Sequence, residues 1–339
     1  MTKILIIYTG GTIGMIKDSD TGQLSNVNFE HIYDHVPELK RLNVELDTKS
    51  FTHPIDSSEI SIYHWQSLAE MIKENYVDYD GFVVLHGSDT MAYTSSALSF
   101  MFCGLKKPII LTGSQLPIGI IRTDGKENLI TAIEIAATKD ENNEPLIQEV
   151  AVYFDYQLFR GNRSTKDSAE NFEAFRSPNY HSLANAGVNI KFENAYFFRT
   201  EKENLSVRTT INQKIGHLKL YPGINFELYK DLFDREKIDG IVLESFGSGN
   251  APSSVLFKGL LKNFIEDGGI VLNITQCNSG SVKQGLYKTS SMFNEVGVIS
   301  GGNMTTEAAV TKMMVILDPK DLEKSKMELA KDIRGEVDY

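Results

Sequence analysis

The feature that most constrains this chain is an apolar segment near its start that stops at a double glycine. Ile4-Leu5-Ile6-Ile7-Tyr8 runs directly into Thr9-Gly10-Gly11-Thr12. Glycine adopts the positive φ values of tight turns, and its missing Cβ allows close approach of other groups. Ligands of open α/β sheets bind at the carboxyl ends of strands. The pattern therefore predicts that Thr12 presents its hydroxyl at the rim of a sheet, as a candidate nucleophile.

Strand-like and helix-like segments alternate along both halves of the chain. Predicted buried strands are Lys3–Tyr8, Gly81–His86, Pro108–Thr112, Val150–Phe154, His217–Tyr221, Ile238–Leu243 and Ile270–Ile274. Helices are predicted over 62–76, 124–137, 225–234, 252–266, 304–316 and 319–331, the second opened by a capping-box pattern of Asp124 and Glu127. This alternation predicts parallel sheets with helices on both faces.

The chain is long enough for two domains. Residues 188–212 interrupt the alternation with mixed polar and aromatic residues. We therefore predict a two-domain α/β protein in which each domain has a mostly parallel sheet flanked by helices. The larger N-terminal domain spans residues 1–187, an interdomain connection spans 188–212, and the smaller C-terminal domain spans 213–339.

Net charge and cysteine content argue against several classes of binding partner and several cellular compartments. The net charge of -11 argues against binding to nucleic acid or to an anionic membrane surface. The opening apolar run is too short for a signal peptide, and no segment has the apolar length of a membrane span. Two cysteines, Cys103 and Cys277, are too few for a disulfide framework and fit a reducing compartment. A cytoplasmic location is predicted.

Common cofactor motifs do not match. The glycines at 10, 11 and 14 lack the spacing of a dinucleotide-binding turn, and no P-loop is present. His31 and His35 are four residues apart, but no third ligand is evident near them. They fit surface histidines better than a metal site.

Further polar groups follow other predicted strands. Gly87-Ser88-Asp89-Thr90 succeeds the strand ending at His86, Asp56-Ser57-Ser58 precedes a helix, and Lys166 lies in the loop after Phe154. Taken singly, the first two fit helix caps and Lys166 fits a solvated surface lysine. Together they supply a hydroxyl, a carboxylate anchor and a proton carrier. We therefore expect them to form one site with Thr12.

Five segments resemble, in order and over essentially the full length, the bacterial type I (cytoplasmic) L-asparaginases. They are Tyr8-Thr9-Gly10-Gly11-Thr12-Ile13-Gly14, the run from Asp80 to Met91, Thr112-Gly113-Ser114-Gln115, Arg160-Gly161-Asn162-Arg163 and Gly247-Ser248-Gly249-Asn250-Ala251-Pro252.

The resemblance implies hydrolysis of L-asparagine to L-aspartate and ammonia through an acyl-threonine, without metal or organic cofactor. It makes Thr12 the nucleophile and places Ser88, Asp89 and Lys166 in a second catalytic group. It assigns the substrate-binding loop to Asp56, Ser57 and Ser58, with Ser88 and Asp89 also contacting substrate. It implies a dimer or tetramer in which Asn250 reaches a neighbouring active site.

Three positions depart from the family pattern. Ser88 stands where threonine is usual, which keeps the hydroxyl and predicts modest effects on positioning. Gln23 follows Gly22 where relatives place an activating tyrosine, so either Tyr33 or a water held by Lys166 is the candidate acceptor for the Thr12 proton. Thr165 and Cys277 match an effector site of some type I enzymes, but Glu244 replaces its arginine. An acid repels a carboxylate, which predicts weak or absent activation by asparagine.

Three alternatives remain at this stage. A glutaminase-asparaginase of broad specificity differs only in accommodating one more methylene. A subunit of an archaeal tRNA-dependent amidotransferase is disfavoured by the acidic charge and by the position of Thr12 near the start. A non-catalytic amino-acid-binding protein on the same scaffold has no need of the Thr12 hydroxyl, Asp89 and Lys166 together.

Overall fold

A sheet of eight strands organises the first of the two units into which the chain divides, Met1–Val207 and Arg208–Tyr339. The computed structural model describes residues 1–17, 24–26, 36–285 and 288–338. The strands of the first unit are β1 (Thr2–Gly10), β2 (Met15–Lys17), β3 (Leu24–Asn26), β4 (Val44–Ile55), β5 (Gly81–Leu85), β6 (Phe102–Cys103), β7 (Ile109–Thr112), β8 (Val150–Phe154), β9 (Gln157–Arg160), β10 (Thr165–Lys166), β11 (Phe175–Arg176), β12 (Ala184–Ala186), β13 (Ile190–Phe192) and β14 (Ser206–Val207).

The large sheet has a parallel part and an antiparallel edge. Its strand order is β13-β12-β9-β8-β7-β5-β1-β4, with parallel pairing from β8 to β4 and antiparallel pairing from β8 to β13. The chain reverses between β8 and β9 at Asp155 and Tyr156, which both have positive φ, as a two-residue hairpin requires. The predicted strands at β1, β5, β7 and β8 and the mostly parallel sheet are confirmed.

Three α-helices accompany this sheet: α1 (Ile62–Glu74), α2 (Met91–Met101) and α3 (Gly125–Ala137). Short 3-10 helices lie at Thr12–Gly14, Pro37–Arg41, Ser57–Glu59, Ser88–Thr90, Gly161–Arg163 and Asn194–Tyr196. Alternate residues of β1, Ile4, Ile6 and Tyr8, pack in one apolar cluster with Leu129 and Ile133 of α3. Helices α1 and α2 pack on one another, and α2 contacts β7 and β8.

The capping box predicted at the start of α3 is wrong. The side chain of Asp124 makes no cap hydrogen bond and instead accepts the backbone N–H groups of Gln115 and Leu116. Glu127 accepts from the hydroxyls of Thr131 and Tyr153, at 2.8 and 2.6 Å. Both carboxylates have partners outside the helix start, and these outcompete the local cap.

The second unit, Arg208–Tyr339, contains a sheet of four described strands, all parallel. They are, in both chain and spatial order, β15 (Ile215–Lys219), β16 (Gly240–Ser245), β17 (Ile270–Thr275) and β18 (Ile299–Ser300). Its α-helices are α4 (Val255–Glu266), α5 (Lys288–Val296), α6 (Thr306–Ile316) and α7 (Leu322–Leu329). The predicted strands and helices of this half are confirmed, with one difference in helix type.

That difference lies at 225–234, where the structure has a 3-10 helix, Phe226–Phe233. Phe226, Tyr229 and Leu232 recur every third residue and pack on the apolar cluster of this unit. A repeat of three matches the 3-10 period rather than the α-helical one.

Within the described part of the chain, no helix combines the length and apolarity that a membrane crossing requires. The interdomain connection predicted at 188–212 stays a prediction.

Candidate active site

The carboxyl ends of three neighbouring parallel strands, β4, β1 and β5, lie at one edge of the large sheet. At the end of β1 the chain turns through Gly10 and Gly11, both with positive φ, into the short helix that begins at Thr12. A Cβ placed on Gly11 would lie 2.5 Å from both the Cα and the N of Gly87. The residue before Thr12 therefore packs backbone to backbone against the residue before Ser88, and Thr12 itself is half-buried.

Ser88, Asp89 and Lys166 form one hydrogen-bonded group. The Lys166 ammonium donates to Ser88 Oγ at 2.9 Å and to Asp89 Oδ1 at 2.6 Å. The Lys166 side chain is 18% exposed and that of Asp89 is 63% exposed. The carboxylate thus faces solvent, where a cationic ligand can reach it, while the ammonium is largely enclosed.

The segment before Lys166 is anchored to helix α2. The carbonyl of Gly161 accepts hydrogen bonds from the hydroxyls of Ser95 and Ser96, at 2.9 and 3.3 Å. Strand β10, which ends at Lys166, pairs antiparallel with β11. These contacts fix the backbone that carries the lysine, although its sequence separation from Asp89 is large.

The loop after β4 packs against the same place. A Cβ on Gly87 would lie 2.5 Å from Ser57 Oγ, and the Thr90 hydroxyl donates to the Ser57 carbonyl at 2.7 Å. Ser57 is buried, whereas Asp56 and Ser58 are exposed. The structure therefore brings Ser57 next to the segment that carries Ser88 and Asp89.

Asp56 caps the 3-10 helix that follows it. Its Oδ1 accepts from the backbone N–H and from the hydroxyl of Ser58, both at 2.8 Å. The backbone hydrogen bond, followed by the hydroxyl one, lowers the pKa of Asp56. Asp-Ser-Ser thus forms a cap, of this short 3-10 helix rather than of α1. Contact with substrate stays a prediction.

Gln115 belongs to the group although it was not among the predicted site residues. Its Oε1 lies 3.4 Å from Ser88 Oγ, and its Nε2 donates to the carbonyl of Asn171 at 2.9 Å. The Asp124 carboxylate holds the Gln115 backbone N–H at 2.9 Å. The available signal was the position of Gln115 directly after β7, at the same sheet edge as Ser88.

The remaining predicted residues lie in other places. Asn250 is half-buried in a tight loop after β16, where its backbone pairs with that of Phe246. Cys277 is exposed after β17, and Thr165 lies on β10 in the first unit. Their roles in subunit contact and effector binding stay predictions.

Glu244 lies at the end of β16 with its side chain 6% exposed. Its carboxylate accepts from His217 Nε2 at 2.9 Å and Thr306 Oγ1 at 2.8 Å, and pairs with Lys219 Nζ at 3.1 Å. Burial opposes the charged form, but these partners outweigh it and lower the pKa of Glu244 to about 2. Lys219 therefore already supplies a cation for this acid, and His217 and Thr306 occupy its other hydrogen-bonding positions.

Gln23, His31, Tyr33 and His35 lie outside the described residues. Among the residues that the structure does describe, no group of three or more His, Cys, Asp or Glu side chains is placed to hold a metal ion.

Comparison with known proteins shows similarity along nearly the whole chain. Residues 3–197 match the family model "Asparaginase, N-terminal", and residues 214–328 match "Glutaminase/Asparaginase C-terminal domain". The chain is 40% identical to L-asparaginase 1 of Escherichia coli (strain K12), over 99% of this chain and 98% of that protein.

Two solved structures are also similar. L-asparaginase I from Vibrio cholerae superposes with a TM-score of 0.90 at 39% identity, covering 100% of this chain and 99% of that one. The thermostable L-asparaginase from Thermococcus kodakarensis gives a TM-score of 0.90 at 30% identity, with both chains covered completely.

Proposed function

This chain belongs to the asparaginase family, and from that premise we propose that it hydrolyses L-asparagine to L-aspartate and ammonia through an acyl group on Thr12. One observation carries the proposal for the site. The Lys166 ammonium bonds both Ser88 and Asp89, and the Ser88 segment packs against the turn that leads into Thr12. This arrangement supports a site in which the Thr12 hydroxyl acts as nucleophile beside a group able to move protons.

The reaction has two stages. The Thr12 oxygen attacks the side-chain amide carbon; the C–O bond forms, the C–N bond breaks, and the nitrogen leaves as ammonia after gaining a proton. Water then attacks the ester, releases aspartate and restores the hydroxyl. Splitting amide hydrolysis in this way replaces one difficult step by two easier ones. The Thr12 proton passes either to a water held by Lys166 or to Tyr33.

Charge decides how substrate is held. The exposed carboxylate of Asp89 attracts the α-ammonium of asparagine, and the loop of Asp56, Ser57 and Ser58 offers backbone N–H groups and hydroxyls to its α-carboxylate. Backbone N–H groups around Ser88 stabilise the tetrahedral oxyanion. Each of these groups comes from the end of a strand or from the short helix that follows it.

Lys166 is placed to carry the proton. Its Nζ contacts both Ser88 Oγ and Asp89 Oδ1. In its neutral amine form, Lys166 accepts a proton from a water or from Ser88 and returns it to the leaving nitrogen.

Mass spectrometry of a rapidly quenched reaction tests the proposal. The protein is mixed briefly with asparagine at low pH and digested. An aspartyl adduct is expected on the peptide that contains Thr12, and Thr12→Ala is expected to carry none. Adduct on another peptide, or ammonia release by Thr12→Ala at the wild-type rate, would refute the acyl-threonine. Glutamine assayed in parallel measures specificity.

We also propose a cellular location and an oligomeric state. We expect a cytoplasmic protein, because two cysteines suit a reducing compartment. We also expect a dimer or tetramer, in which Asn250 of one copy reaches the site of another. Sedimentation velocity on the wild type and on Asn250→Ala, together with their rates, separates a role in assembly from a role in the site.

A further inference from the structure

A buried histidine stands directly before the Ser88 segment. His86 follows strand β5 and is 0% exposed. Its Nδ1 lies 2.7 Å from the carbonyl oxygen of Gly87, and its Nε2 lies 2.9 Å from Thr94 Oγ1. Thr94 Oγ1 in turn accepts a hydrogen bond from Trp65 Nε1 at 3.0 Å. A continuous chain of hydrogen bonds thus links helices α1 and α2 to the backbone of Gly87.

The chemistry of these groups fixes the direction of every bond. An indole N–H only donates and a carbonyl oxygen only accepts. Nδ1 of His86 must therefore carry the proton that it gives to Gly87. A neutral ring then has an unprotonated Nε2, which accepts the hydroxyl proton of Thr94. The order is Trp65 to Thr94 to His86 to Gly87.

The surroundings keep the ring neutral. Both ring nitrogens contact uncharged groups, and complete burial penalises the imidazolium, which lowers the pKa of His86 to about 4. The ring therefore has one fixed tautomer across the neutral pH range.

We propose that His86 is a positioning residue that sets the orientation of the Gly87–Ser88 peptide and so aims the Ser88 N–H at the developing oxyanion; this rests on the proposed function. The peptide is planar and trans, so its carbonyl and its N–H point in opposite directions. Holding the Gly87 carbonyl toward the buried ring turns the Ser88 N–H away from it. Ser88 begins a 3-10 helix, and the first N–H groups of a helix are not used within it.

Two substitutions at His86 distinguish the role of Nδ1 from that of Nε2. Asparagine reaches as far as Nδ1 and can still donate to the Gly87 carbonyl, whereas glutamine reaches the position of Nε2 and can bond only Thr94. We expect His86→Asn to keep kcat within about threefold of wild type. His86→Gln is expected to lose about 100-fold in kcat with little change in KM, because misplaced groups cost about that much.

Each variant loses one of the hydrogen bonds that link Trp65 to Gly87. The melting temperature is therefore expected to fall by a similar amount in both. A purely structural role would lower kcat equally in the two variants, and that result would overturn the proposal. An increase in KM alone would also overturn it. If neither variant folds, Thr94→Val takes their place: it removes only the bond to Nε2 and keeps the bond from Nδ1 to Gly87, so kcat within about threefold of wild type is expected, and a loss of about 100-fold would overturn the proposal.

A measurement on the wild-type protein needs neither activity nor a stable variant. NMR of protein with ¹⁵N-labelled histidine distinguishes Nδ1–H from Nε2–H rings, and the signal of His86 among the seven histidines is assigned by its loss in the asparagine variant. Detection of the Nε2–H form refutes the proposal. Thr12→Ala assayed beside these variants tests the acyl-threonine separately, because its outcome does not depend on the His86 contrast.

Discussion

The backbone of Gly11 lies against the backbone of Gly87, with no room for a side chain between them. A Cβ on Gly11 would stand 2.5 Å from Gly87 N and Cα, and the φ of Gly11 is +85°. This contact joins the turn before Thr12 to the segment that carries Ser88 and Asp89.

Gly11→Ala is expected to lower the free energy of unfolding by about 2 kcal/mol or more and to abolish measurable turnover. The new methyl group meets backbone atoms that cannot move aside, and the positive φ adds strain. Gly259→Ala in helix α4 is the matched control: nothing lies within 4 Å of its added Cβ, so a gain of about 0.5–1 kcal/mol is expected. Urea unfolding and ammonia release measure both. Equal stability of the two variants would contradict the close contact.

Lys166→Met is expected to reduce kcat/KM at least about 100-fold, because a positioned proton carrier contributes that much or more. Its melting temperature should change little, since the partner carboxylate of Asp89 is largely exposed. Lys230→Met removes a lysine from an exposed pair with Glu227 and serves as the control for loss of charge. Turnover by Lys166→Met at the rate of Lys230→Met would exclude Lys166 from the reaction.

The rate is expected to depend hyperbolically on asparagine concentration. An effector carboxylate needs a cation to bind it, and Glu244 stands where the resemblance to some type I enzymes predicts an arginine. Its carboxylate is already bound by His217 and Lys219. Initial rates over a wide range of asparagine concentrations check this. A clearly sigmoidal curve would mean that an effector site operates despite Glu244.

Glu244→Gln is expected to destabilise the protein by roughly 2 kcal/mol at pH 7, because the pKa of Glu244 falls from 4.5 to about 2 on folding. Because the pKa is lowered on folding, the stabilisation is complete above the unfolded pKa of 4.5. It is lost as pH falls through the folded pKa of about 2. The difference between variant and wild type should therefore shrink between about pH 4.5 and 2. Urea midpoints at pH 7, 4 and 3 measure this.

Glu295→Gln provides the comparison for Glu244, since its pair with Lys258 is exposed and its loss should matter little at any of these pH values. A pH-independent effect of Glu244→Gln would show that the pairing does not stabilise the folded state.

Sequence predicted the central strands well because continuous apolar runs mark strands that are buried on both faces. Helix α2 was missed because it is buried almost all round, so its apolar residues form no stripe along one face. Strand β4 was missed because it lies at the sheet edge and carries charged residues such as Glu45 and Lys49. A continuous apolar run is enough to identify a buried strand, whereas a helix is identified by pattern only when one face differs from the other.

The site was predictable where residues follow strands and not where they depend on long-range contacts. Thr12 and Ser88 follow β1 and β5, and parallel order brings such ends together. The close contact of Gly11 with Gly87 depends on exact packing between distant segments. The same holds for the hydrogen bonds that link Trp65 through Thr94 to His86. Lys166 was predicted from its loop after Phe154 and from the family resemblance, but its contact with Asp89 depends on the pairing of β10 with β11 and on the Gly161 anchor.

The order of the strands has a consequence for how the protein matures. Thr12, Asp56 and Ser88 follow three adjacent strands, but the chain between them must close long loops before those strands can pair, and such pairing is slow. Helices can form before the segments that follow these strands are brought together. Ammonia release during refolding therefore reports when the sheet is complete. It is expected to lag behind the recovery of the helical circular dichroism signal.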